Sequence, residues 1–315
     1  MTIRLDRDAE RYLLGRREHS AMSSAVLDAA ALRAEERNLR HRYGHGPRMW
    51  SESSQPASGD VPRHHILDPV ESAVGELIYI HGGGWVMGEP EDYLAVCRAL
   101  AHASGWRVVV PDYRKAPEHP FPAGLDDARA VVGHRLSIRS SDAEPIPFGV
   151  GGDSAGGCIA AVLAGEHSAA VSVQVLITPV LDSDLDTPSY LDPQRQLTLT
   201  REVMAWFWDQ YRPGGDRTDA RLAPLRSTRL ADLPPTVFVS VGTDVLKSEG
   251  DAYLQRLRSA GVDVRHRDFP GQLHGFFQLH NVMAASAEAV DWIAGELRRV
   301  SSPGRTALVE TGGHQ

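Results

Sequence analysis

Two cysteines, Cys97 and Cys158, are all that 315 residues contain. A single pair cannot build a disulfide framework, and no cysteine cluster offers a thiolate zinc site. No stretch approaches the roughly 20 consecutive apolar residues that a bilayer-spanning helix needs. Positive charge is in the minority, with 33 Lys and Arg against 41 Asp and Glu, a formal net charge of −8. That balance predicts no general affinity for nucleic acid or for an anionic membrane. Residues 1–20 are charged throughout and lack the apolar run of a secretory signal. Together these absences predict a cytoplasmic protein with reduced thiols.

What is present is a large apolar fraction, 42%, enough for a sizeable core. Apolar bursts of strand length fall at 76–80, 107–110, 147–150, 173–177, 236–240 and 264–269. Helical patterns lie between and after them, at 92–102, 126–135, 154–166, 251–260 and 284–300. Such alternation predicts an α/β fold with a mostly parallel sheet covered on both faces. Residues 6–42 predict two further helices, broken near Gly15 to Ser20, and Ser51–Asp60 reads as a polar loop.

One block breaks the alternation. Residues 182–225 hold Asp-rich turns and a helix at 200–211 whose Val203, Met204, Trp206, Phe207 and Trp208 crowd more than one side. A helix apolar on several faces must be covered on several faces. The expectation is a cap that packs on the sheet and on the N-terminal helices. The chain then divides into N-terminal cap helices (1–50), a core (51–181 and 226–300), a cap insertion (182–225) and a flexible tail (301–315).

The chemistry is concentrated in a few motifs. Gly152-x-Ser154-x-Gly156 follows a strand and opens a helix. That context suits a nucleophile held on a strained turn, where side chains two positions either side would collide. His81-Gly82-Gly83-Gly84 follows another strand end. Its bare backbone can approach a substrate closely, so Gly83 with Gly82 or Gly84, joined by the N–H of Ala155, is expected to hold an oxyanion. His81 is expected to position that loop.

A serine hydroxyl needs a base, and the base needs an acid to fix its tautomer. Of the histidines beyond the last strands, His266 lies inside a strand and His280 in a helical stretch. His274 sits in a Gly-flanked loop past a strand end and is the expected base. Asp244 follows a strand at the same sheet edge and is the expected acid, with Glu249 as a supporting residue. Asp251 falls at a helix start and Asp268 inside a strand. Nothing in this chemistry needs a metal or a cofactor. His41 and His45, and the adjacent His64 and His65, lack partners at metal spacing and are expected to be solvated. Asp182–Asp186 reads as a solvated turn, and Cys158 as a small buried residue.

These motifs resemble those of the hormone-sensitive-lipase-like esterases. His81-Gly-Gly-Gly-Trp85 and Gly151-Gly-Asp-Ser-Ala-Gly-Gly157 are similar to that family's oxyanion and nucleophile segments. Asp112-Tyr-Arg-Lys-Ala-Pro-Glu-His-Pro-Phe-Pro-Ala123 is similar to a third signature, with Lys115 where the family usually carries Leu. Asp244-Val-Leu-Lys-Ser-Glu249 and His274-Gly-Phe276 correspond to its acid and base segments. The resemblance runs from about residue 70 to 295. It implies an α/β-hydrolase fold with an eight-stranded, mostly parallel sheet flanked by helices and a helical cap. It also implies a serine carboxylesterase with Ser154, Asp244 and His274 as catalytic residues, acting on short acyl esters through an acyl-enzyme, and a possible homodimer. Trp85, Trp206 and Phe207 are expected to shape the substrate pocket. The same triad would serve a lactone or thioester hydrolase, or an acyl-transfer enzyme. Plant gibberellin receptors share the family but lack the histidine, so His274 argues against a non-catalytic receptor.

Overall fold

Strand after strand reaches the centre of the molecule through runs that are apolar on both faces. The computed structural model describes residues 3–17, 27–139 and 146–302. It begins with helices α1 (Arg7–Arg17) and α2 (Ala29–Leu39), followed by strands β1 (Ser51–Gln55), β2 (His64–Asp68) and β3 (Glu76–Ile80). Next come α3 (Pro90–Ser104), β4 (Arg107–Pro111), α4 (Ala123–Arg139), β5 (Phe148–Asp153), α5 (Ser154–Glu166) and β6 (Val173–Ile177). The insertion carries α6 (Pro188–Leu191) and α7 (Arg201–Tyr211), and the chain continues through β7 (Thr236–Thr243), α8 (Lys247–Ser259), β8 (Val264–Leu273) and α9 (Ala284–Ser301).

The strands form one eight-stranded sheet in the order β1-β2-β4-β3-β5-β6-β7-β8. β2 runs antiparallel to both of its neighbours, and the pairs from β4 through β8 are parallel. β3, β5, β6 and β7 are buried along their whole length. Burial on both faces is what unbroken apolar runs encode.

The alternation missed two strands. The polar sequence of Ser51–Gln55 reads as a loop, but the segment is the edge strand β1, paired through five residues with β2. Its polar sequence is that of a mostly exposed edge, which carries no period-2 signal. The lack of metal-spaced partners predicts solvated rings for His64 and His65, but both are buried in β2. His65 Nε2 lies 3.2 Å from a Glu91 carboxylate oxygen, and His64 Nδ1 lies 3.0 Å from the Pro62 carbonyl. These partners come from tertiary contact and a strand turn, so no metal-type spacing announced them. β5 continues beyond 150 to Asp153, and β8 beyond 269 to Leu273. α1 runs through Gly15. Met22 and Val26, and the tail from 303, lie outside the described residues. His280 falls in a turn before α9 rather than in a helix.

Both ends of the insertion are tied to the core. The Leu225 N–H donates to the Leu181 carbonyl at 2.9 Å, and Glu249 of α8 accepts from the Leu181 N–H at 2.7 Å. Val203, Met204, Phe207 and Trp208 of α7 share one core with Ala29 of α2 and with Ile80, Val86 and Ala155 of the sheet domain. Among the described residues no helix is long and apolar enough to cross a membrane.

Candidate active site

Ser154 is the first residue of α5 and the first after β5. Its φ is +52°, a left-handed conformation that costs a β-carbon-bearing residue of order 1–3 kcal/mol. The turn is held by close approach of main chains. A β-carbon at Gly156 would lie 2.0 Å from the Ile80 carbonyl oxygen, and one at Gly152 would lie 2.3 Å from the same atom. The β3 end is therefore pressed against the start of α5, and only glycine fits at either position. α5 also directs its unpaired N-terminal N–H groups toward the same place.

The β7 and β8 ends bring the other two side chains. Thr243 pairs with Leu273 after a register shift, so Asp244 and His274 leave the sheet side by side. The His274 N–H donates to the Thr243 carbonyl at 3.0 Å. His274 Nε2 lies 3.0 Å from Ser154 Oγ, and His274 Nδ1 lies 2.9 Å from Asp244 Oδ2. A carboxylate can only accept, so Nδ1 carries the proton and Nε2 is left to receive one. Asp244 is 2% exposed and also accepts the Leu246 N–H at 2.9 Å, which fixes its plane. Burial pushes the His274 pKa down, but the charge of Asp244, the hydrogen bond to it and the charge of Asp153 together raise it above the ordinary imidazole value.

The glycine loop after β3 is fixed from beneath. His81 is fully buried between the rings of Tyr113 and Tyr93, with centroids at 4.4 and 5.3 Å. Burial, helped by the charge of Lys115, lowers its pKa to about 3, so the ring is neutral. Its Nδ1–H donates to the Gly82 carbonyl at 2.7 Å. Asp153, also buried, accepts from the Tyr79 hydroxyl at 2.8 Å and from the Gly82 N–H at 3.0 Å through one oxygen. Its other oxygen accepts from the Tyr93 hydroxyl at 3.3 Å.

This corrects one expectation. The Gly82 N–H is committed to Asp153 and is not available to an oxyanion. Among the described residues the N–H groups of Gly83, Gly84 and Ala155 have no hydrogen-bond partner. The sequence could not separate Gly82 from its neighbours, because the acceptor lies 71 residues away. Asp153 stands in the nucleophile motif without a role, and nothing in the sequence marks Tyr79 and Tyr93 as its partners or Tyr113 as the ring stacked on His81.

The three expected pocket aromatics part company. Trp85 is 1% exposed, stacked on Tyr211 at 4.4 Å and tilted on Trp208 at 4.7 Å. It fastens the loop to α7 from inside the core and does not line a pocket. Phe207 lies against the loop itself: a β-carbon at Gly84 would meet its ring at 2.4 Å. Trp206 is half-buried beside Phe207. A separate polar cavity of about 620 Å³ is lined by residues that include Arg33, Gly88, Asp112, Lys115 and Glu118 but by no member of the Ser154 group. Among the described residues no three His, Cys, Asp or Glu side chains converge as a metal-holding group.

A family model described as the alpha/beta hydrolase fold matches residues 77–278. The carboxylic ester hydrolase LipN of Mycobacterium tuberculosis is 33% identical over 76% of this chain and 67% of its own length. The carboxylesterase NlhH of the same organism is 35% identical over 76% of this chain and 78% of its own. An ethyl acetate hydrolase of Pseudomonas putida is 31% identical over 71% and 72%. Among solved structures, an ester hydrolase from the metagenome of Lake Arreo, complexed with a bipyridine phosphonate derivative, superposes with a TM-score of 0.84. It is 33% identical, covering 93% of this chain and 98% of that one.

Proposed function

Because the chain belongs to the α/β-hydrolase fold family, among the hormone-sensitive-lipase-like carboxylesterases, we propose that its ester hydrolysis is carried by Ser154, His274 and Asp244. The supporting observation is the unbroken chain of two hydrogen bonds, 3.0 and 2.9 Å, from hydroxyl through imidazole to carboxylate. His274 Nε2 takes the Ser154 proton as Oγ bonds the acyl carbon. The carbonyl electron pair moves onto oxygen, where the N–H groups of Gly83, Gly84 and Ala155 receive it. Donors of this kind are each worth about 3–4 kcal/mol of barrier, because the charge they meet exists only in the transition state. Collapse expels the alcohol, which leaves with the proton from Nε2. Water then gives its proton to Nε2 and attacks the acyl-enzyme. The acid departs as Ser154 recovers its proton.

Short acyl groups are the proposed substrates. Phe207 seated on Gly84, with Trp206 beside it, restricts the space next to the oxyanion donors. The similarity to a hydrolase of ethyl acetate supports the same choice. Free, buried Cys97 and Cys158 support a reducing compartment, the cytoplasm. Replacing the nucleophile tests the assignment. Ser154→Ala should lower turnover of p-nitrophenyl acetate by about 10⁶-fold. A variant retaining more than about a tenth of wild-type turnover would overturn it.

A further inference from the structure

Arg33 lies on α2, far in sequence from every motif of the site, yet its guanidinium closes a ring of contacts around the glycine loop. Its Nε donates to the Val86 carbonyl at 2.7 Å, and its Nη2 donates to the Ala116 carbonyl at 2.7 Å. The Ala116 N–H in turn donates to the Trp85 carbonyl at 3.0 Å. The loop's own turn is closed by the Gly83 carbonyl, which accepts from the Val86 and Met87 N–H groups at 3.0 and 2.8 Å. The Val86 residue that Arg33 holds is thus the same one that closes back on Gly83. On the outer side Glu118 grips the guanidinium through both oxygens, at 2.8 and 2.7 Å. From α7, Tyr211 stacks on Trp85 of the loop and Phe207 lies against Gly84.

We propose that Arg33 is a positioning residue for the oxyanion site, holding residues 83–87 in the shape that leaves the Gly83 and Gly84 N–H groups free and aligned. It touches no reacting atom. The guanidinium makes four hydrogen bonds from three separated nitrogens, and the three donors on a single lysine nitrogen cannot reproduce them, so lysine is no substitute. The proposal rests on the assignment of Gly83 and Gly84 as oxyanion donors, and a misplacement of about 1 Å in such a site costs on the order of 10²-fold in rate.

The test compares p-nitrophenyl acetate with its thiono analogue, in which sulfur replaces the carbonyl oxygen. A thiono ester develops charge on sulfur, which gains little from N–H donors set for oxygen, so a lesion of these donors falls mainly on the oxygen ester. Arg33→Ala should lower kcat on the oxygen ester by roughly 10–100-fold. KM should change far less, and the thiono ester should lose much less. Arg33 lines an open cavity of about 620 Å³, so methylguanidinium has a route to the vacated position and should restore part of the lost kcat. Arg33→Lys should not restore it. Should Arg33→Ala fail to fold, Glu118→Ala, which removes only the outer anchor, should show a smaller loss with the same preference. Equal loss on both esters, or kcat within about twofold of wild type in folded Arg33→Ala, would overturn the role of Arg33. A wild-type enzyme that hydrolyses both esters equally well would overturn the assignment of Gly83 and Gly84, and the proposal with it.

Discussion

The Gly82 N–H donates to Asp153 Oδ1 at 3.0 Å, joining the loop after β3 to the residue that precedes the serine. Asp153 is buried with only neutral donors in contact, and burial pushes its pKa up to about 6. A carboxyl whose folded pKa lies above its unfolded 3.8 favours the fold in its neutral form. The stability it contributes is full below 3.8 and is lost as pH rises through about 6. Asp153→Asn keeps an acceptor for Gly82 and cannot ionise. Relative to wild type, it should therefore gain stability between pH 4 and 7, by up to about 3 kcal/mol, read from urea unfolding at each pH. Asp153→Ala removes the acceptor and should lower kcat by roughly 10-fold or more.

The pH dependence of turnover follows from His274. Only neutral imidazole can take the serine proton, so kcat/KM falls as pH falls through its pKa. Asp244 raises that pKa, and the acid limb should therefore lie above 6.5. Asp244→Asn removes the charge and reverses the tautomer preference. It should shift the limb downward and lower kcat by about 10⁴-fold. Rate profiles from pH 5 to 9 check both effects.

Glu249 is 1% exposed, and burial raises its pKa well above the ordinary carboxylate range. One oxygen accepts the Leu181 N–H at 2.7 Å, at the root of the insertion. Glu249→Gln retains that acceptor and should change stability by less than about 1 kcal/mol. Glu249→Ala strands the Leu181 N–H and opens a cavity, and should cost about 2–4 kcal/mol. Chemical denaturation of both variants separates the two cases.

The close contact at Gly156 leaves no room for a methyl group. Its obstacle, the Ile80 carbonyl at 2.0 Å, is backbone and cannot swing aside. Gly156→Ala should lose about 3 kcal/mol or more and all measurable turnover, as followed by thermal melting and ester hydrolysis.

Local chemistry made part of the site legible. Ser154 lies between a strand pattern and a helix pattern, and His274 lies past a strand end beside glycine. Such contexts are properties of neighbouring residues, and periodicity reports them. β1 escaped because an exposed, polar edge strand has no buried face to impose alternation. His64 and His65 escaped because their burial comes from β1, β4 and Glu91, which meet them only in three dimensions.

By itself, then, the sequence carries the alternation of strands and helices, the positions of Ser154, Asp244 and His274 at strand ends, and the glycine loop near them. Each of these depends on the residue types a chain segment carries. Tertiary structure alone decided which amides remain free, that Trp85 belongs to the core, and that an arginine from α2 braces the loop. A backbone N–H has the same character in every glycine, and its role is set only by the acceptor that folding brings within about 3 Å of it.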